Sequence, residues 1–414
     1  MGELVVGLDI GTSKVCTVVG EVREDDIFIV GVGIEAARGM KKGIVSDIDA
    51  LAAAITESVN RAERSSGYVI DRAFVSVAGD HIASSSNRGM IGITGQRAVN
   101  REDMSRVLEA ARAISIPHNR EVLHVVPRKY SIDGQERVRS PVGMHGFRLE
   151  LEAHIITALS SCIANLEDAV VRAGLKVDRF VLNALASGHA VLTPEEREMG
   201  AIVVDIGGGT TDLAIFIEGT VWHVAVIAVG GDHLTGDVTH WIHVPFEEAE
   251  AVKIQHGHAR RRSVNLMQTF SVQPFGEGLP TEVHSNELAE VLEFRITEIF
   301  ELVQREIRRT GYDGFLRAGA VLTGGSSQLP GIRGVAEETL GLPVRMAQPE
   351  RLTGMADALR GPAYSTSVGL LGLGLEMESA EARGGSGVGL APGEGLGNWL
   401  GGLFRRLLPE NYEQ

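Results

Sequence analysis

The chain has 414 residues, 44 % of them hydrophobic and 51 of them Gly, which is enough for a sizeable core in two to four domains and typical of α/β proteins with many tight turns. Lys and Arg number 39 against 54 Asp and Glu, a net charge of −15. A body that acidic repels nucleic acid and anionic lipid, so any lipid contact needs a local basic element.

The first element is an apolar strand from Leu4 that runs into Asp9-Ile10-Gly11-Thr12-Ser13-Lys14, followed by strands at Val15 to Val22 and Ile27 to Ile34. No leader is expected before it, and Cys16 and Cys162 sit in apolar stretches that read as buried, reduced thiols. Asp47 to Ser65 has the spacing of an amphipathic helix, with Ile48, Leu51, Ile55 and Val59 on one face. Phe74 to Ala78, His124 to Ile132 and Arg148 to Ala158 read as strands. Asp103 to Ile114 and Ser161 to Ala173 read as helices, the second stopped by Gly174.

At Ala201 the opening returns. An apolar strand runs into Asp205-Ile206-Gly207-Gly208-Gly209-Thr210-Thr211, with further strands at Leu213 to Ile217 and Val221 to Val229. Helices are predicted over Phe246 to His256 and Ser285 to Arg309, the latter with Leu288, Leu292, Ile296, Ile299, Phe300, Val303 and Ile307 on one face. The strand Gly319 to Thr323 ends on Gly324-Gly325-Ser326, and Pro330-Gly331 opens a helix. After Leu375 the composition turns Gly-, Glu-, Ala- and Ser-rich without apolar periodicity, which reads as a flexible linker through Gly397.

The repeated Asp-Ile-Gly turns carry the chemistry. Gly11 and Gly207 to Gly209 let backbone N–H groups approach an anion, and Thr12, Ser13, Thr210 and Thr211 add hydroxyls. Lys14 adds a positive charge. Asp9 and Asp205 would repel a triphosphate unless a hydrated Mg²⁺ stood between, an ion that keeps most of its waters. Gly324-Gly325 leaves room for a flat base or ribose against a strand end. Six histidines lie between His223 and His258, with His240 and His243 spaced to meet on a helix. A metal set needs three or four ligands with support, and that stretch lacks a clear helical pattern. Arg260 to Arg262 reads as a solvated loop.

Two phosphate hairpins half a chain apart, followed by a Thr-Gly-Gly-Ser strand end, resemble the actin, sugar-kinase and heat-shock-chaperone ATPase superfamily. Within it, the chain resembles the bacterial division family FtsA through Val6 to Lys14, Arg38-Gly39-Met40-Lys41-Lys42-Gly43, Val122 to Pro127, Ala249 to Lys253 and Tyr364-Ser365-Thr366-Ser367-Val368-Gly369. The resemblance implies an α/β, actin-like (ribonuclease H-like, duplicated) fold, with two lobes about a nucleotide cleft and an inserted family-specific subdomain. The expected divisions are 1–79 and 161–192 for subdomain IA, 80–160 for the inserted IC, 193–231 and 310–375 for IIA, and 232–309 for IIB. A linker over 376–395 and a terminal helix over 396–409 would follow. It also implies ATP and Mg²⁺ as cofactors. Asp9, Gly11, Thr12, Ser13, Lys14 and Gly207 to Thr211 would hold phosphates, and Asp9 and Asp205 the cation through water. Glu250 and Lys253 would lie near ribose and base, and Gly324, Gly325 and Ser326 along the adenosine.

The resemblance further implies an adaptor that polymerises with itself and binds the C-terminal tail of the tubulin-like FtsZ. It would tether the Z ring to the cytoplasmic face of the inner membrane at the septum and recruit later division proteins. No residue can be assigned as catalytic, and hydrolysis would be weak or regulatory. A pilus-assembly adaptor or an ATPase or kinase of the same fold are the alternatives. A kinase needs an acceptor pocket with an Asp base, and a chaperone needs a peptide domain after residue 375; neither stands out.

Leu396, Trp399, Leu400, Leu403, Phe404, Leu407 and Leu408 form an apolar stripe of helical period flanked by Arg405 and Arg406. The stretch is too short to span a bilayer and suits its interface. Seven such side chains set a ceiling of roughly 10–20 kcal/mol. Partial burial and helix ordering remove most of it, so attachment of one copy is reversible and a polymer would supply avidity.

Overall fold

The computed structural model describes residues 4–384 apart from 24–25, 96, 276–278 and 351. The stripe over 396–408 lies outside the described residues. The chain opens with β1 (Leu4–Ile10), β2 (Lys14–Arg23) and β3 (Asp26–Ala36), then the small hairpin β4 (Met40–Lys41) and β5 (Ile44–Val45). Helix α1 (Ile48–Ser66) begins where the Asp47 carboxylate accepts from the Ala50 N–H and ends at Gly67 with φ 75°. Strand β6 (Arg72–Val77) leads into an insertion made of β7 (Ala83–Gly92), α2 (Arg101–Arg112), β8 (Arg120–Ile132), β9 (Gln135–Val138) and β10 (Arg148–Leu159). Helix α3 (Ser160–Arg172), β11 (Lys176–Leu182), α4 (Asn183–Val191) and the short α5 (Pro194–Met199) complete the first half.

The second half repeats the plan with β12 (Ala201–Ile206), β13 (Thr211–Ile217) and β14 (Thr220–Ile227). Then come α6 (Gly231–Ile242), α7 (Phe246–His256), the hairpin β15 (Thr269–Val272) and β16 (Thr281–His284), and the long α8 (Ser285–Thr310). Strand β17 (Gly319–Thr323), α9 (Ile332–Leu340), β18 (Val344–Met346), β19 (Thr353–Gly354) and α10 (Ser365–Gly384) finish the described chain.

The duplication is visible in the sheets. The first runs β3-β2-β1-β6-β11 and the second β14-β13-β12-β17-β18. In each, a three-stranded antiparallel meander is followed by two parallel strands reached through helical crossovers. Strand β19 crosses over from the second half to pair with β3, with the Met355 N–H donating to the Ile29 carbonyl at 2.8 Å.

Burial explains the layering. Helices α1 and α3 cover the outer face of the first sheet through Leu51, Ile55, Ile163 and Leu166, and α8 and α9 cover that of the second through Leu292, Ile296, Phe300, Ile332 and Val335. The inner faces share one core around α4 and α10, joining Val5, Val18 and Phe74 to Val203, Phe216 and Val321 through Leu185, Leu370 and Leu371. The inserted strands make a separate antiparallel sheet, β7-β10-β8-β9, with its own core under α2.

Two expectations are corrected here. The stretch from Glu376 is not linker at its start: α10 continues to Gly384, Met377 is buried, and Glu376 Oε1 lies 3.2 Å from His189 Nε2. Glu, Ala and Ser are adequate helix formers, so missing apolar periodicity hid the helix. The segment before His243 is helical, and His243 itself caps α6 in the left-handed conformation, φ 56°, so it leaves the face that carries His240. Arg260, Arg261 and Arg262 pair with Glu338, Glu290 and Glu338, and Arg261 and Arg262 remain exposed, in keeping with a solvated stretch. Of the two thiols, Cys16 is buried and Cys162 only partly so.

Candidate functional site

The two Asp-Ile-Gly turns have the same closure. The Gly11 N–H donates to the Lys14 carbonyl and the Gly207 N–H to that of Thr210, both at 2.9 Å. Because β1 and β12 are central strands of the two sheets, the turns emerge at the same end of the molecule and face each other. Their tips touch: a Cβ on Gly208 would stand 2.1 Å from Ser13 Oγ, and one on Gly209 would stand 2.5 Å from Thr12 Oγ1. A side chain at either position would push the opposing hydroxyl aside.

Behind the tips, buried carboxylates collect. Asp9 accepts from Ser76 Oγ at 3.0 Å and from Ser367 Oγ at 2.6 Å. Asp205 accepts from Thr366 Oγ1 at 3.0 Å, and burial pushes its carboxyl up to about 6, with the Thr366 hydroxyl opposing and Asp9 adding to the rise. Asp212, one strand over, is held well above the usual carboxylate range by burial and then by Asp205. Thr210 Oγ1 donates to its Oδ2 at 2.8 Å, while its buried Oδ1 has no partner. An unmatched buried carboxylate oxygen costs about 1–3 kcal/mol or more. Together they form a donor set that a cation would relieve. Among the described residues no three His, Cys, Asp or Glu side chains are close enough to ligate an ion jointly.

The remaining predicted residues gather on the second-lobe side. Lys253 Nζ pairs with Glu250 Oε2 at 2.5 Å and donates to Thr235 Oγ1 at 2.8 Å and to the Gly231 carbonyl at 3.1 Å. Ser326 Oγ donates to the Gly207 carbonyl at 3.0 Å. Gly324, with φ 86°, presses against the second hairpin, where a Cβ would stand 2.4 Å from Asp205 Oδ1. Gly325 faces more open space. Lys14 Nζ donates to the Ala363 carbonyl at 2.5 Å and lies 4.9 Å from the centre of the Tyr364 ring. Thr211 Oγ1 donates to the Val229 carbonyl at 2.8 Å, inside the second lobe.

Sequence reasoning missed several neighbours. Asp212 directly follows the second motif and is not among the residues singled out from the sequence. Gly230, Gly231 and Asp232 lie over the second hairpin, with N–H groups of Gly231 and Asp232 donating to the carbonyls of Gly207 and Gly208 at 2.9 and 2.8 Å. Ser76, Thr366 and Ser367 carry no local signal of contact with an aspartate.

A second concavity lies away from this cleft. It has a volume of about 540 Å³ between α6 and α8 and is lined by Asp237, His240, Trp241, Val291, Phe294, Arg295 and Glu298. Arg295 is fixed there by two contacts to Asp237, at 2.6 and 2.8 Å, while Phe294 is 74 % exposed.

Comparison with known proteins gives the site its context. Residues 202–369 match the family model described as cell division protein FtsA, and residues 79–157 match the SHS2 domain inserted in FtsA. A cell division protein FtsA of Pseudomonas aeruginosa is 44 % identical over 379 residues, 91 % of each chain. That of Escherichia coli strain K12 is 38 % identical, over 90 % of this chain and 91 % of the other. That of Bacillus subtilis is 36 % identical, over 89 % and 83 %. Among solved structures, the PilM-PilN type IV pilus biogenesis complex matches with a TM-score of 0.64 at 18 % identity, covering 90 % of this chain and 98 % of the other. MreB5 of Spiroplasma citri bound to ADP matches with 0.56 at 16 %, covering 92 % and 99 %. The structural neighbours establish an actin-like fold, and the sequence relatives establish that the chain belongs to the FtsA family of bacterial cell division proteins.

Proposed function

We propose that the chain binds ATP with Mg²⁺ between its two hairpins and serves as a filament-forming adaptor that ties FtsZ to the inner face of the membrane. The observation that carries the nucleotide reading is the pairing of duplicated Asp-Ile-Gly hairpins with an orphaned carboxylate oxygen on Asp212 behind them. In this reading, N–H and hydroxyl groups of Gly11 to Ser13 and Gly207 to Thr211 receive the phosphates, and Lys14 moves from the Ala363 carbonyl to a phosphate oxygen. Asp9, Asp205 and Asp212 hold Mg²⁺ through its waters. The ion neutralises phosphate charge that the three carboxylates would otherwise repel. Glu250 and Lys253 face the ribose, and Gly324, Gly325 and Ser326 border the adenosine. Calorimetry tests this: Asp205→Ala should abolish Mg²⁺-dependent ATP binding, and unchanged affinity would refute the cleft.

The adaptor reading rests on family membership. Within the expected IIB segment, 232–309, the groove between α6 and α8 is where we assign the FtsZ tail. Its exposed Phe294 and fixed Arg295 offer an apolar anchor beside polar hydrogen-bonding groups. Lipid contact is assigned to the sequence stripe from Leu396 to Leu408 with Arg405 and Arg406, which would make the protein peripheral; among the described residues no helix is long and apolar enough to cross a membrane. Flotation with anionic vesicles tests it, using wild type, Trp399→Glu and a chain cut after Gly384. Cutting earlier would remove the buried Met377. A truncated chain that still floats would refute the assignment.

A further inference from the structure

The first turn of α10 touches both hairpins at once. Ser367 Oγ donates to Asp9 Oδ2 at 2.6 Å, and Thr366 Oγ1 donates to Asp205 Oδ2 at 3.0 Å. All four side chains are buried. The two aspartates belong to different sheets, β1 of the first lobe and β12 of the second, yet consecutive residues of one helix hold them. We propose that Thr366 and Ser367 are positioning residues of the nucleotide site, each fixing one hairpin carboxylate in the orientation that takes a hydrated Mg²⁺. The inference rests on the reading of the cleft given above.

Three physical points support it. A hydroxyl is a neutral donor: it occupies one lone pair of a carboxylate, leaves the others free for the waters of a cation, and does not cancel the negative charge that attracts the ion. A Lys or Arg in its place would cancel that charge. Second, the donors themselves are immobile. Ser365 Oγ lies 2.6 Å from Thr323 Oγ1 of β17 and donates to the Pro362 carbonyl at 3.1 Å. One turn on, a Cβ on Gly369 would stand 1.8 Å from the Ala186 carbonyl oxygen, so α10 lies against α4 without slack. Third, Asp9 is held on both oxygens, since Ser76 Oγ donates to Oδ1 at 3.0 Å while accepting from the Ile10 N–H at 2.8 Å. Supporting contacts of this kind fix ligand orientation at metal sites.

A purely structural role would also use these hydrogen bonds, so the test separates the two. The affinity of the full chain for a fluorescent ATP analogue is measured in millimolar Mg²⁺ and in EDTA, for wild type, Asp205→Ala, Thr366→Val, Thr366→Ser and Ser367→Ala. Melting curves without nucleotide accompany each variant. The proposal expects Thr366→Val and Ser367→Ala to lose about 5- to 30-fold of the affinity in Mg²⁺, the factor carried by one buried hydrogen bond. Affinity in EDTA should change less than about twofold, and Thr366→Ser should restore most of the loss. If Thr366→Val fails to fold, Ser367→Ala and Thr366→Ser carry the comparison. Equal losses with and without Mg²⁺, or no loss in either, would overturn the positioning role. If Mg²⁺ does not strengthen binding to wild type, and Asp205→Ala matches wild type, the reading of the cleft fails and this inference with it.

Discussion

The guanidinium of Arg128 lies over the indole of Trp222, its central carbon 4.6 Å from the ring centroid, and joins the inserted sheet to the second lobe. Arg128 comes from β8 of the insertion, Trp222 from β14, the outermost strand of the second sheet. Its Nη2 donates to the Tyr312 hydroxyl and its Nη1 to Ser86 Oγ, both at 2.8 Å, with Glu152 at 3.3 Å. Lys129 Nζ sits 4.4 Å from the same indole, and Ser84 Oγ donates to the Val224 carbonyl at 3.0 Å. The insertion thus leaves the first lobe in sequence but rests on the second in space.

Arg128→Ala should therefore cost about 2–4 kcal/mol, because it strips buried charge-assisted hydrogen bonds and leaves the Tyr312 hydroxyl unpaired. Denaturant unfolding followed by tryptophan emission reads both the loss and the altered setting of Trp222. Unchanged stability would mean that the contact contributes nothing.

Much of this was legible in the sequence, for identifiable reasons. The hairpins announced themselves because Asp9-Ile10-Gly11 and Asp205-Ile206-Gly207 repeat with the same flanking strands. Glu250 and Lys253 stand three apart, the spacing of one helix face, and they pair. Helices α1 and α8 follow their apolar stripes. The Arg128–Trp222 contact had no such signal, since it joins residues on separate sheets. The Thr366 and Ser367 hydroxyls stood within a motif, but what they touch depends on where two distant strands end. The far end of α10 was hidden because the sequence after Met377 carries no apolar stripe.

Gly369 is a second place where the packing makes a firm statement. Its missing side chain lets α10 cross α4 at the Ala186 carbonyl, where a Cβ would stand 1.8 Å away. Gly369→Ala should destabilise by about 1–3 kcal/mol or more, since backbone on both sides must move. A thermal melt unaltered by this substitution would show that the helices separate freely. Gly67→Ala tests a different cost, because space there is open but φ is 75°; it should destabilise less, through backbone strain alone.

Acid should weaken the inserted sheet's helix. Asp103, at the start of α2, has no exposed side-chain surface and receives Arg97 Nη1 and Nη2 at 2.5 and 2.9 Å. These bonds hold its carboxyl down at about 2 against the opposing effect of burial, helped by the Asn100 N–H and Arg106. The folded state thus binds the proton less readily than the unfolded chain. The stabilisation is complete above the ordinary carboxylate value near pH 4 and is lost as pH falls from there towards 2. Asp103→Asn should lower the melting temperature at pH 7, and the gap from wild type should close between about pH 4 and pH 2. A gap independent of pH would assign the loss to shape rather than charge.

The groove between α6 and α8 gives the remaining prediction. Phe294 is 74 % exposed, so the fold does not use most of its ring, whereas Arg295 is locked to Asp237 by two hydrogen bonds. An exposed aromatic beside a fixed guanidinium matches the composition of the few residues that dominate peptide and protein interfaces. Phe294→Ala should weaken binding of a labelled peptide of the FtsZ C-terminal tail by tenfold or more, about 1.4 kcal/mol or greater. It should leave the melting temperature unchanged, because little buried surface is lost. Arg295→Glu should act more strongly: it places a like charge beside Asp237 and Glu298 and removes the donor. Trp241 lines the same groove, so a change in tryptophan emission on peptide addition that is lost in Trp241→Phe provides an independent readout of occupancy. Peptide affinity untouched by both substitutions would refute the assignment of the FtsZ tail to this groove.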